Sequence, residues 1–187
     1  MNEVLDLVPG ADVTTIDLFS ENLPEFGKDA AEAKFAPIFG QETTSEQDTA
    51  WQQVLKEIER FDSGKKILLS TPMWNYSIPY KLKHYLDLIM QPRVTFSYNR
   101  ETMQHYGLLR NRPLQLILTR SSVLPGDFMD FQLPYLKFAF DCMGIRDVSV
   151  LSAWHTTQTT SEERQAYLSS IEPDVLAAAR AFAMKSA

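Results

Sequence analysis

The run Thr71-Pro72-Met73-Trp74-Asn75-Tyr76 is the stretch whose residue types could hold a flat heteroaromatic ring. Pro72 has no N–H, and after it the amides of Trp74, Asn75 and Tyr76 have no obvious ladder or helix partner, which leaves them as donors to a ring edge. Trp74 and Tyr76 add aromatic walls to the same loop. Other chemistries find no anchor. His84, His105 and His155 lack metal-ligand spacing, and one cysteine permits neither a zinc pattern nor an internal disulfide. That cysteine, Cys142, lies in Phe140-Asp141-Cys142-Met143 and reads as a packed core thiol rather than a nucleophile. No Gly-x-Ser-x-Gly elbow is present for acyl transfer. Lys83 and Asp87 read as solvated or paired rather than catalytic.

The loop needs a strand before it and a helix after it. Ile67, Leu68 and Leu69 form an apolar run without alternation, as in a parallel strand covered on both faces, and ligands in such sheets sit at the carboxyl ends of strands. Ser77 is placed to cap the next helix, with Pro79 in its first turn and Leu82, Tyr85, Leu86 and Ile89 on its buried face. Upstream, residues 1–8 read as the tail of a helix closed by Pro9-Gly10, and residues 13–16 as a β-branched strand. Residues 20–43 read as a long connection carrying Pro24, Phe26, Phe35, Pro37 and Phe39. Thr44 and Gln47 predict a capping box for a helix with Trp51, Val54, Leu55 and Ile58 inward, ended at Gly64.

Beyond the loop, Pro113 introduces a strand over 114–119 whose carboxyl end carries Thr119-Arg120-Ser121-Ser122. Residues 130–143 predict a helix with a broad apolar face of Leu133, Leu136, Phe138, Phe140 and Met143, ended by Gly144. Such breadth suggests burial against both the sheet and a second subunit. A last strand over 148–151 leads to Trp154-His155, and Thr160 with Glu163 caps a final helix whose stripe resumes beyond Pro173. Strands alternating with helices indicate an α/β doubly wound parallel sheet with four strands visible. The 187 residues fit one domain. A net charge of -6 argues against nucleic-acid or anionic-membrane partners. Neither a membrane span nor a signal peptide is apparent, so the expected location is the cytoplasm.

Pro72-Met73-Trp74-Asn75-Tyr76-Ser77, Leu82-Lys83-His84-Tyr85-Leu86-Asp87 and Val94-Thr95-Phe96-Ser97-Tyr98 together resemble the FMN-dependent NADH:quinone oxidoreductase/azoreductase family, which is flavodoxin-like. The resemblance runs on through Gly107-Leu108-Leu109, the strand over 114–119, Leu133-Pro134-Tyr135-Leu136 and Gly144-Ile145. It implies a homodimeric FMN enzyme. NADH or NADPH gives hydride to flavin N5 and leaves, and a quinone or azo compound then takes two electrons. Pro72, Met73, Trp74, Asn75 and Tyr76 would hold the isoalloxazine, and Thr119, Arg120, Ser121 and Ser122 would line its pyrimidine end. Phe96 and Tyr98 are implied as substrate-side aromatics, with core or interface packing as the alternative. Arg120 would put charge near the N1/O2 edge, or pair with a surface carboxylate. No side chain need act as a general acid, so no catalytic residue is named. Residues 20–43 would help wall the site and the dimer interface, or form a surface loop pinned by its aromatics.

Two departures from the family stand out. Ser121-Ser122 replaces a Gly-Gly pair that lets a backbone approach the flavin closely. Members of the family also begin with a strand, a Ser-rich phosphate loop and a long helix whose end matches residues 1–8. Roughly 25 residues, a strand and most of a helix, would then be absent here. With only seven glycines and no Gly-rich loop, no substitute phosphate cradle is visible. The chain therefore reads as a single flavodoxin-like domain lacking the first, central strand, whether its true start lies upstream or the phosphate site has diverged. The competing reading is a non-enzymatic α/β protein that does not retain FMN. A nicotinamide-independent electron carrier is a third, opposed by aromatic insertions that suggest a small-molecule pocket.

Overall fold

A computed structural model describes residues 10–121, 124, 126–155 and 160–186. In chain order the elements are α1 (Lys28–Phe39), α2 (Ser45–Ser63), β1 (Ile67–Pro72), α3 (Tyr80–Ile89), β2 (Phe96–Tyr98), β3 (His105–Gly107), β4 (Leu114–Thr119), α4 (Leu133–Met143), β5 (Val148–Ala153) and α5 (Ser161–Met184). The expected helix over residues 1–8 and the site residue Ser122 lie outside the described residues.

Three parallel strands form the main sheet in the order β1-β4-β5, and β2 pairs with β3 as a separate antiparallel hairpin. Pro72 pairs with Thr119 and Thr119 with Ala153, so the three strands end level. That flush carboxyl edge is where an α/β sheet receives its ligands. Central β4 buries Leu114, Gln115, Leu116 and Leu118, whereas β1 buries only Thr71 fully. Ile67, Leu68 and Leu69 are half-buried, Ile67 and Leu69 against the core, so the covering expected of this parallel strand is partial. Leu82, Leu86, Leu88 and Ile89 of α3 are buried in the core with Leu136, Phe140 and Met143 of α4. Burying each of the aliphatic side chains is worth about 1.5–3 kcal/mol.

Two local expectations fail for physical reasons. Residues 13–16 belong to no strand, since a ladder needs a neighbouring backbone and none is described beside them. Ile16 packs on the core while Val13 is exposed. Within the supposed long connection, residues 28–39 form α1. Its Ala30, Ala33 and Ala36 are buried on a narrow stripe of small side chains, leaving Phe35, Ile38 and Phe39 outward. Gly40, at φ 64, ends that helix in a left-handed cap.

Helix ends elsewhere follow the sequence. Thr44 with Gln47 and Thr160 with Glu163 each make both bonds of a capping box. Buried Arg112 donates from Nη1 to Asp62 O at 3.1 Å and from Nη2 to Phe61 O at 3.2 Å, satisfying carbonyls at the end of α2. Lys66 Nζ does the same for Phe182 O and Ala183 O at the end of α5. Cys142 is buried, and that burial pushes its thiol above the ordinary range. Lys83 pairs with Asp87 at 2.6 Å, the second of the two arrangements, solvated or paired, expected for them. Among the described residues no helix is long and apolar enough to cross a membrane.

Candidate functional site

Beyond β1 the chain extends its pairing by one bond, Met73 N–H to Thr119 O at 2.7 Å, and then reverses. Trp74 and Ser77 exchange two backbone hydrogen bonds of 2.9 Å. Between them Asn75 has φ 47 and Tyr76 φ 67. Two consecutive left-handed residues in a two-residue loop are the signature of a type I′ turn. Asparagine takes that conformation readily; for tyrosine it stores strain of about 1–2 kcal/mol, which the surroundings must hold.

This turn changes which amides are available. Trp74 N–H, expected to be free, is bonded to Ser77 O. Those of Asn75 and Tyr76 have no hydrogen-bond partner among the described residues. Two adjacent unpaired donors therefore stand at the level carboxyl edge of the sheet. Met73 is half-buried beneath them, while Trp74, Asn75 and Tyr76 are exposed.

The segment before α4 grips the turn. Phe131 N–H donates to Tyr76 O at 2.9 Å, Ser77 Oγ lies 3.5 Å from Phe131 O, and fully buried Gln132 donates from Nε2 to Thr71 O at 3.3 Å. Ser77 thus does not cap α3, which begins three residues later at Tyr80 with Pro79 as its cap. Asp130 organises the segment. Its Oδ1 accepts from Gln132 N at 2.9 Å and Leu133 N at 3.0 Å, and its Oδ2 from Arg120 Nη1 at 3.2 Å. The Arg120 guanidinium also lies 3.9 Å over the Trp154 ring. Of the two roles open to Arg120, the carboxylate pairing is the one its contacts display.

Thr119 is half-buried at the end of β4, its carbonyl occupied by Met73, and Ser121 is exposed just beyond it. Trp74 packs against Phe19 and Tyr80, with ring centroids 5.6 and 6.5 Å away. Phe19 is held there by Asp17, whose Oδ1 accepts from Phe19 N at 3.1 Å and whose Oδ2 accepts from Ser20 Oγ at 2.7 Å. The Ser20 bond is the largest reason that this carboxyl sits below its ordinary value.

Phe96 and Tyr98 are not brought to this turn. They lie on β2, in ring contact with His105, which itself contacts Phe138 of α4. The hairpin runs along α4, with His105 against Phe138 near its middle and Leu109 N–H donating to Met143 O at 3.1 Å at its end. Sequence reasoning missed Phe19, Asp130, Phe131, Gln132 and Trp154 as site neighbours. Only Asp130 left a readable signal, as an acidic residue three positions before the first turn of a Pro-containing helix. Two shallow grooves on α1 and α2 draw on none of these residues.

A family model described as a flavodoxin-like fold matches residues 1–173. An FMN-dependent NADH:quinone oxidoreductase of Nitratidesulfovibrio vulgaris is 35% identical over 144 residues, 75% of this chain and 68% of the relative. One from Desulfotalea psychrophila is 30% identical over 183 residues, covering 96% and 85%. Among solved structures, an FMN-dependent NADH-azoreductase from Bacillus anthracis in complex with FMN superposes with a TM-score of 0.80 at 26% identity, covering 97% of this chain and 86% of that one. A second Bacillus anthracis azoreductase gives a TM-score of 0.83 at 22% identity, covering 97% and 87%, and so speaks to the fold alone.

Proposed function

Because this chain belongs to the flavodoxin-like family of FMN-dependent NADH:quinone oxidoreductases and azoreductases, we propose that it binds FMN and carries two electrons from NADH or NADPH to a quinone or an azo compound. The observation that carries the reading furthest is the pair of unpartnered amides at Asn75 and Tyr76 on the level edge of the sheet. Their chemistry fits the polar rim of an isoalloxazine, which needs donors held in place rather than mobile side chains. Pro72 and Met73 form the floor, and Trp74 and Tyr76 offer ring surfaces beside it. Thr119 and Ser121 line the pyrimidine end, where Ser121, lacking a glycine's freedom, donates through its amide or hydroxyl; Ser122, assigned there with them from the sequence, lies outside the described residues. Bound there, FMN supplies reversible two-electron chemistry; the chain's own residues orient it and take no proton.

Phe96 and Tyr98 lie on the hairpin beside α4, where their ring contacts are with His105. We assign them to the site of a second copy, in a homodimer that also covers exposed Phe138. The chain works as one flavodoxin-like domain in the cytoplasm. The test is the visible absorption spectrum of the protein purified with FMN and then desalted. Retained flavin bands near one per chain support the reading, and quinone and azo-dye assays with NADH and NADPH then identify donor and acceptor. A folded, colourless protein overturns it and favours the α/β protein without cofactor.

A further inference from the structure

We propose that Asp130 is a positioning residue: through the segment it caps, it holds the Asn75-Tyr76 turn in the strained form that presents two amides with no partner among the described residues. The inference deepens the FMN reading and rests on it for the identity of the ligand. Three donors converge on this one carboxylate, Arg120 Nη1, Gln132 N and Leu133 N, at 3.2, 2.9 and 3.0 Å. With Asp130 fixed, Phe131 N–H meets Tyr76 O at 2.9 Å, Gln132 Nε2 meets Thr71 O at 3.3 Å and Ser77 Oγ meets Phe131 O at 3.5 Å, so all three bonds to the β1 side fall on the two residues that follow it. The ion pair is shielded, with side chains of Arg120 and Asp130 only 16% and 15% exposed, and Trp154 closes one face of the guanidinium. A charge-assisted bond in such a setting is stronger than its exposed counterpart.

The arrangement accounts for an oddity. Tyr76 takes φ 67, a conformation that tyrosine disfavours, although a glycine there would cost nothing. A strained residue persists only where neighbours over-determine it; the Trp74–Ser77 bonds close the turn, and the clamp on Tyr76 from outside it is the Phe131 bond. It also gives Arg120 a different part from the one its position suggests. Its charge acts on the turn through Asp130 instead of on the ring.

The experiment compares wild type with Asp130→Ala, Asp130→Asn and, as a control, Thr160→Ala, which removes a helix cap of similar kind at the start of α5. Two readouts are taken: the ¹H–¹⁵N amide signals of Asn75, Tyr76 and Phe131 in protein without FMN, and FMN affinity with the visible circular dichroism of the bound flavin. Asp130→Ala is expected to move all three amide signals, change the flavin's dichroism and weaken FMN by about tenfold, the effect of losing one charge-assisted anchor. Asp130→Asn keeps the acceptor for Gln132 and Leu133 but not the charge for Arg120. It should produce a smaller change of the same sign, and it serves if the alanine variant fails to fold. Thr160→Ala should lower stability without moving either readout. Unmoved amides at Asn75 and Tyr76 in both Asp130 variants overturn the proposal, as do moved amides with unchanged FMN affinity and dichroism. Should wild type bind no FMN, the FMN reading fails by itself, and the amide signals alone decide whether Asp130 sets the turn.

Discussion

Asn75 is the residue on which main-chain and side-chain roles separate most cleanly. Its left-handed φ suits asparagine and glycine and opposes a β-branched side chain. Asn75→Gly is expected to leave the urea midpoint near wild type and to retain FMN on desalting, since the amide is unchanged. Asn75→Val should lose about 1–2 kcal/mol of stability in the same titration and retain less flavin. A glycine variant that folds normally but comes off the column colourless would transfer the binding role to the side chain. The sequence made Asn75 a candidate because no partner for its amide was apparent. It could not reveal that Trp74 would commit its own amide to Ser77, because that bond exists only once the two central residues turn left-handed.

Among the elements, α1 and the hairpin were the least legible. α1 has an alanine stripe in place of large apolar residues, so it lacks the hydrophobic contrast by which amphipathic helices are recognised, and Pro37 near its end reads as a breaker. Strands β2 and β3 are three residues each and exist by pairing with one another. The capping boxes, by contrast, are local chemistry and were fully legible. Thr44→Ala is expected to cost about 1 kcal/mol in urea unfolding, through loss of the Gln47 amide's acceptor. The junction of hairpin and α4 predicts a larger effect. A Cβ on Gly107 would run into the backbone of Met143 and Gly144, and neither can yield because Gly144 is itself a left-handed cap at φ 99. Gly107→Ala should therefore destabilise by about 1–3 kcal/mol, with the hairpin's amides losing hydrogen-exchange protection first. An unchanged midpoint would show that the hairpin does not seat on the end of α4.

For the molecule as a whole, stability should form a plateau in pH with two different edges. The carboxyls of Asp17, Glu21 and Glu163 are held below their ordinary values, chiefly by bonds from Ser20, Arg60 and Thr160 respectively. A depressed folded value means that the contribution is present above the unfolded carboxyl range, 3.8 to 4.5, and is lost as pH falls through the folded one. These groups lie on the surface, so that edge should be shallow and weaken further with salt. Burial raises Tyr85, Tyr135 and the Cys142 thiol, which is the opposite case. Their contribution is whole below the ordinary thiol value of 9.0 and is lost as pH rises beyond it. Urea midpoints measured across pH should thus stay level from about 5 to 9 and fall steeply only on the alkaline side. A steep acid edge that persists in high salt would contradict this assignment.

Residue order by itself determined the alternation of strands and helices, both capping boxes and the buried face of α3; of the apolar face expected for α4, Leu136, Phe140 and Met143 are buried while Phe138 is exposed. Each of these rests on neighbours within a few positions, where propensity and hydrophobic period act directly. Tertiary structure alone decided the rest. Whether residues 13–16 became a strand depended on a backbone to pair with, and which amides stayed free depended on the turn that closed over Trp74. Arg120 found Asp130 ten residues away and Trp154 across the sheet edge, and Phe131 found Tyr76 across fifty-five positions. Hydrogen bonds and ion pairs are short-ranged in space but indifferent to separation along the chain. Their partners are therefore settled only when the sheet brings its carboxyl ends level.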